Sequence, residues 1–214
     1  MKENKINNYE LCYENLCVAY AKYNPEEMAI KSGAFYDSEK KQFTLTYLGK
    51  DYLISYPAGR IMFKKPIQAK SMDETVSISV KILLISYLHR CTKSGLSKKW
   101  VPYRELEGVG HAYDAFALRG IKKLVQFFGN KGDLLLKAAD KLGTKPYPVG
   151  DIGLELQVLP NLPLVLILWL GDEEFEAAAT ILFDSSASKE LHVEDLAGVG
   201  SLVVDELIEI ANAL

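Results

Sequence analysis

The stretch KKWVPYRELEGVGHAYDAFALRG, residues 98–120, gathers Trp100, Tyr103, Arg104, His111, Tyr113, Asp114 and Arg119 around a Gly-x-Gly turn. Guanidinium groups fix the charge of an anion, and indole and phenol rings stack on a planar body. A helix beginning near His111 would add the partial positive charge of its N-terminus. This combination suits a small anionic or planar ligand, with Arg104 and Arg119 holding charge and Trp100 or Tyr103 stacking. Gly108-Val109-Gly110 does not make it a dinucleotide site, because no clear strand precedes it and the third glycine and βαβ setting are missing. The plainer reading places His111 in the first turn of its helix with a water or carboxylate partner. Irregular connections of this length are nevertheless often functional.

The second polar concentration is LWLGDEEFEAAATILFDSSAS, residues 168–188. Asp172, Glu173 and Glu174 fall where two strands should be joined, and solvation alone explains an acidic turn. A hard cation prefers oxygen ligands, yet the alternating spacing of a calcium loop is absent. Asp184, Ser185 and Ser186 leave a buried strand and supply a carboxylate and hydroxyls at a strand end, a usual place for ligand contacts. The competing reading is a turn in which these side chains bond their own backbone. A nucleophilic serine would need a base from His89, His111 or His192, and no G-x-S-x-G elbow is present. The enzymatic alternative is therefore Asp184 or His111 as general acid or base. The catalytic residues and any cofactor stay unknown at this level.

Several classes are set aside by composition. The formal net charge of -3 over 214 residues leaves no broad positive field for a phosphate backbone, so no nucleic-acid partner is expected. The start, MKENKINNYE, lacks the apolar core of a secretory signal, which implies a cytoplasmic protein. The apolar run LPLVLILWL is less than half the roughly 20 residues of a membrane-spanning helix, so no membrane association is expected. Cys12, Cys17 and Cys91 are too scattered for a disulfide framework or a metal site, and all three are expected to be buried as small apolar groups.

The elements that must position these residues follow from periodicity. NNYELCYENLCVAYAKYN reads as an amphipathic helix ending before Pro25, and PEEMAIKSG as a short helix from proline to Gly33. The period then changes to two: Phe43, Leu45 and Tyr47, a turn at Gly49-Lys50, then Tyr52, Ile54 and Tyr56, with a third strand from Arg60 to Lys64. A largely buried helix spans Ser71 to Cys91, and two more run from His111 to Phe128 and from Lys131 to Leu142. Leu154, Leu156 and Val158 alternate in a half-exposed strand. Leu162 to Leu170 is apolar on both faces and should lie centrally. A further strand runs from Ala177 to Phe183, and a closing helix from Val193 to Ala213. The reading is a single α+β domain over 1–214, with one mostly antiparallel sheet formed from the N-terminal and C-terminal hairpins and helices packed on it.

The run LPNLPLVLILWLGDEEFEAAATILFDSSAS, the following L-x-x-E-D-L at Leu191 to Leu196, W-V-P-Y-R-E-L at Trp100 to Leu106 and F-G-N at Phe128 to Asn130 resemble a bacterial family catalogued as domain of unknown function 3786. The resemblance covers most of the chain and implies no established reaction. It implies a setting in anaerobic bacteria, and, because some relatives are fused to cysteine-rich iron–sulfur modules, in anaerobic redox or corrinoid metabolism. This chain lacks that cysteine cluster. It has His192-Val193 where relatives tend to have Pro-Thr, which removes a threonine cap from the closing helix. The leading expectation is a cytoplasmic accessory module binding a small anionic molecule or cofactor between the 100–119 segment and the Asp184 to Ser188 strand end. The alternatives are the enzyme above, or an interaction module docking on an iron–sulfur or corrinoid protein partner, which an exposed apolar patch would favour.

Overall fold

The structure, a computed structural model, describes residues 8–64, 76–109 and 111–214, with the side chains of 111–116 outside that description. The chain divides into two compact units, Met1–Lys93 and Ser94–Leu214.

In the first unit, α1 (Asn8–Tyr20) and α2 (Pro25–Ser32) precede a four-stranded meander of β1 (Phe35–Asp37), β2 (Gln42–Tyr47), β3 (Lys50–Ser55) and β4 (Ile61–Phe63), and α3 (Ile78–Arg90) closes it. Asn24 caps α2 by accepting the Glu27 N–H, Pro25 opens the helix, and Gly33 ends it with its N–H on Ala29 O. Pro25 and Gly33 are the start and stop signals read from the sequence. The β2–β3 hairpin turns at Leu48-Gly49, one residue earlier than expected, with φ of 45° and 73° as a tight hairpin turn requires. Phe43 faces Ile54 and Leu45 faces Tyr52 across the hairpin, all buried. Tyr20 of α1 brings its ring 6.0 Å from Phe43, which fixes the helix on the sheet. α3 is buried continuously from Leu83 to Leu88, and Tyr87 Oη donates to Ser32 O at 2.9 Å. The expected beginning of this helix at Ser71 lies outside the described residues. Cys91 is buried and Cys17 half-buried, but Cys12 is exposed, against expectation, because it lies on the outer face of α1.

The second unit holds a five-stranded antiparallel sheet in the order β5-β9-β8-β7-β6, from β5 (Trp100–Pro102), β6 (Lys145–Pro146), β7 (Ile152–Leu159), β8 (Leu162–Trp169) and β9 (Ala178–Asp184). β8 is central, and every residue from Leu162 to Leu168 is buried, as its uninterrupted apolar run implied. β7 alternates as read, with Leu154, Leu156 and Val158 inside and Gln157 outside. Three helices pack in this unit: α4 (His111–Phe128), α5 (Gly132–Asp140) and α7 (Val193–Asn212), with the short α6 (Ala187–Glu190) between β9 and α7. Gly120 of α4 meets Gly200 of α7 so closely that a Cβ at 120 would lie 2.7 Å from the Gly200 carbonyl carbon. His192 caps α7 in place of a hydroxyl residue, its Nδ1 accepting the Glu194 N–H at 3.3 Å.

The α+β class and the antiparallel pairing hold. One expectation is corrected: the N-terminal and C-terminal strands do not join in one sheet. Each group finds its partners within its own unit, and the 2-residue and 3-residue strands β6 and β5 complete the second sheet.

Candidate functional site

β5 runs antiparallel to the end of β9, pairing Trp100 with Asp184, Val101 with Phe183 and Pro102 with Leu182. The two regions singled out by their residue types are therefore adjacent in space. The proline is tolerated because β5 is an edge strand, where a missing N–H leaves no broken ladder. At one end of this strand pair lies a carboxylate clamp, and at the other an apolar cleft.

The clamp is built on Asp184, only 2% exposed. Its Oδ1 accepts Ser97 N–H at 3.0 Å, Ser97 Oγ at 2.7 Å, Ser186 N–H at 2.9 Å and Ser186 Oγ at 2.6 Å. Its Oδ2 accepts Lys98 N–H at 2.7 Å. Ser185 joins with its N–H on Lys99 O and its Oγ on Ser97 Oγ, both at 2.8 Å. Burial pushes the Asp184 carboxyl up, but the hydrogen bonds from Ser186 and Ser97 outweigh it and hold the group down at about 2. A second buried carboxylate, Glu190 of α6, repeats the device. It accepts Ser94 N–H and Ser94 Oγ, each at 2.7 Å, and Asn161 Nδ2 at 3.2 Å. Together they fasten residues 94–98, which enter β5, to the C-terminal third of the chain.

These bonds all fall within the chain, and the hydrogen bonds that hold the carboxyl down are ones that favour its ionised form. Ser185 and Ser186 likewise make their hydrogen bonds within the chain. Neither hydroxyl is engaged by a histidine in these bonds.

The cleft encloses about 210 Å³ between the β5 end, α4, β9 and α7. Its walls include Leu118, Ile121, Ile181 and Leu196, its polar edge Arg104 and Thr180. Gly200 also lines it, so the close helix crossing at Gly120 shapes one side. Tyr103 lines the cleft but is buried, its hydroxyl donating to Val193 O at 2.8 Å and its ring 6.3 Å from Phe183. It is a wall, not a stacking platform. Arg104, in the 3-10 turn Tyr103–Glu105, is exposed and has no hydrogen bond or ion pair among the described residues.

Of the remaining candidates, Trp100 does not line the cleft; it meets Tyr147 edge-on at 6.4 Å. Arg119 is exposed on α4, beside Leu118 in sequence but not among the cleft residues. His111 and Tyr113 stand in the first turn of α4, and their side chains lie outside the described residues. Sequence reasoning missed Glu190, Ser94, Ser97 and Thr180. The first three acquire their meaning from partners about ninety positions away, as with Ser94 and Glu190 at a separation of 96. Thr180 carries no motif at all.

Among the described residues, no helix is long and apolar enough to cross a membrane. No three His, Cys, Asp or Glu side chains among them form a group that would hold a metal ion.

A family model described as Domain of unknown function (DUF3786) matches residues 24–206. No curated protein and no solved structure matches the chain.

Proposed function

The chain belongs to the DUF3786 family, and from that premise we propose that it is a binding module for a small organic anion with an apolar body. The observation that supports this reading is Arg104, an exposed guanidinium without a partner among the described residues, at the polar edge of a cleft whose walls include Leu118, Ile121, Ile181 and Leu196. With the Tyr103 hydroxyl committed to Val193, the polar functions offered to a ligand are that guanidinium and the Thr180 hydroxyl.

Binding divides into two parts. An apolar body displaces water from Leu118, Ile121, Ile181 and Leu196, and the anionic head takes the guanidinium fork in two parallel hydrogen bonds. The clamp at Asp184 and Glu190 contributes by holding the segment that leads through β5 into the 3-10 turn carrying Arg104, so ordering is complete before the ligand arrives. Size narrows the class. Sites for drug-sized ligands enclose about 300–1,000 Å³, and a cleft of about 210 Å³ suits a short or aryl carboxylate better than a corrin or flavin. The module then acts in the cytoplasm of an anaerobic bacterium as an accessory to an iron–sulfur or corrinoid protein. The likeness of the motifs at 100–106, 128–130 and 159–188 to their family supports that setting.

Benzoate and butyrate, titrated into the protein while backbone amide shifts are followed by NMR, test the reading. Shifts should cluster on 103–104, 117–121, 180–183 and 196–200. Arg104→Gln should weaken binding by about tenfold, the value of one exposed charge-assisted contact, with no change in melting temperature. Equal affinity in the two proteins would refute it.

A further inference from the structure

The connection from β8 to β9 is a built turn that presents an unburied aromatic ring. Asp172 Oδ1 accepts the N–H groups of Glu174 and Phe175 at 2.8 and 2.7 Å, and the Asp172 N–H donates to Phe175 O at 3.0 Å. Gly171 N–H donates to Gly129 O at 3.1 Å, which seats the turn on the α4–α5 junction. A Cβ at 171 would lie 3.0 Å from Ala177 N and 3.2 Å from Asn130 Oδ1, so the seat is tight around this glycine. These bonds fix Phe175 with 70% of its surface exposed, and Trp169 and Leu170, just before the turn, are exposed as well. A solvated turn would be served as well by a polar residue. The turn thus presents the ring at the surface close in sequence to two further exposed apolar side chains, Trp169 and Leu170.

The turn and the junction form an open basin of about 500 Å³, with Phe127, Asn130 and Lys131 on one side and Glu173, Phe175 and Glu176 on the other. Lys131 Nζ lies 4.9 Å over the Phe127 ring. The carboxylates of Glu173, Glu174 and Glu176 have no ion-pair partner among the described residues. An apolar partner would desolvate these charges unpaired, and a purely cationic one would leave Phe175 in water. A partner presenting both features satisfies both walls. From this we infer that the basin docks a basic segment of a partner protein that carries an apolar anchor, with Phe175 as the contact at its centre and Glu173, Glu174 and Glu176 as the rim that orients it. None of these residues lines the Arg104 cleft, so this inference does not rest on the ligand-binding reading.

Two synthetic peptides of equal positive charge test it, one alternating Lys and Arg with Leu, the other with Ser in place of Leu. Each is titrated into the full chain at low ionic strength and followed by amide shifts. The Leu peptide should bind with shifts on 125–131 and 169–177, and the Ser peptide should bind at least about tenfold more weakly. Phe175→Ser should reduce Leu-peptide affinity by a similar factor, and Phe175→Trp should retain it. The triple change Glu173→Gln, Glu174→Gln, Glu176→Gln should flatten the salt dependence. Equal binding of the two peptides, unchanged affinity in Phe175→Ser, no binding, or shifts confined elsewhere would each overturn the inference.

Discussion

Replacing Asp184 by asparagine keeps the shape of the side chain and removes its charge, which isolates what the carboxylate contributes. Five donors converge on it: the N–H and Oγ of Ser97, the N–H of Lys98, and the N–H and Oγ of Ser186. An amide offers only one acceptor oxygen, so at least one buried donor would then face another donor. The expected cost at pH 7 is about 2–4 kcal/mol. The pH dependence is the sharper test. The group's ordinary value of 3.8 falls to about 2 in the folded chain, and each unit corresponds to about 1.4 kcal/mol. Discounted for solvent near the strand end, the ionised form contributes about 1–2 kcal/mol. Because the folded value is the lower one, this contribution is fully present above about pH 5 and is lost as the pH falls through 4 toward 2. Urea unfolding followed by circular dichroism at pH 5, 4, 3 and 2 should show the stability gap between wild type and Asp184→Asn narrowing by that amount. A gap that stays constant across the series, or one absent at pH 7, would refute the assignment of Asp184 as an ionised clamp.

Three further changes probe the frame around the cleft. Gly120→Ala should destabilise by about 1–3 kcal/mol, since its Cβ would stand 2.7 Å from the backbone of Gly200 and the helices must part. Gly198→Ala, with open space around the new Cβ in the same helix α7, should instead stabilise by up to about 1 kcal/mol, and a thermal melt of both variants reads the opposite signs. Glu190→Ala releases the Ser94 N–H and Oγ and should cost about 2 kcal/mol, with hydrogen exchange at Ser94 accelerating well beyond that at β8.

What was legible in the sequence follows a physical division. α2 carries its own beginning and end in Asn24, Pro25 and Gly33, and β2, β3 and β7 carry a period of two, so local chemistry suffices to identify them. β5 and β6 carry no such pattern. Trp100–Pro102 is a strand because β9 offers its edge, and Lys145–Pro146 because β7 does. That is also why a single sheet was expected: periodicity identifies a strand's faces but not its neighbour. The site divides in the same way. Within the 100–119 region, Arg104 and Tyr103 line a cleft, whereas Trp100 meets Tyr147. Asp184 stands out in the sequence as a carboxylate supplied at the end of a buried strand, and its bonds to Ser186 are the local ones the turn reading expects. The clamp itself depends on Ser97, 87 positions earlier, which no local pattern announces.

The strand order β5-β9-β8-β7-β6 sets a sequence of events when the second unit forms. β7, β8 and β9 join through neighbouring hairpins, contacts that close early because little chain is held between them. β5 comes first along the chain, but its partner ends at residue 184 and its fastening is completed by Glu190, so it can be seated only after both have been made. During synthesis, the 94–102 segment therefore waits through some ninety further residues before its backbone finds an acceptor. Until then the outer edge of β9 stands open as a template for any extended chain. The two buried carboxylates thus act as a late latch, securing the native strand on an edge that another molecule would otherwise occupy.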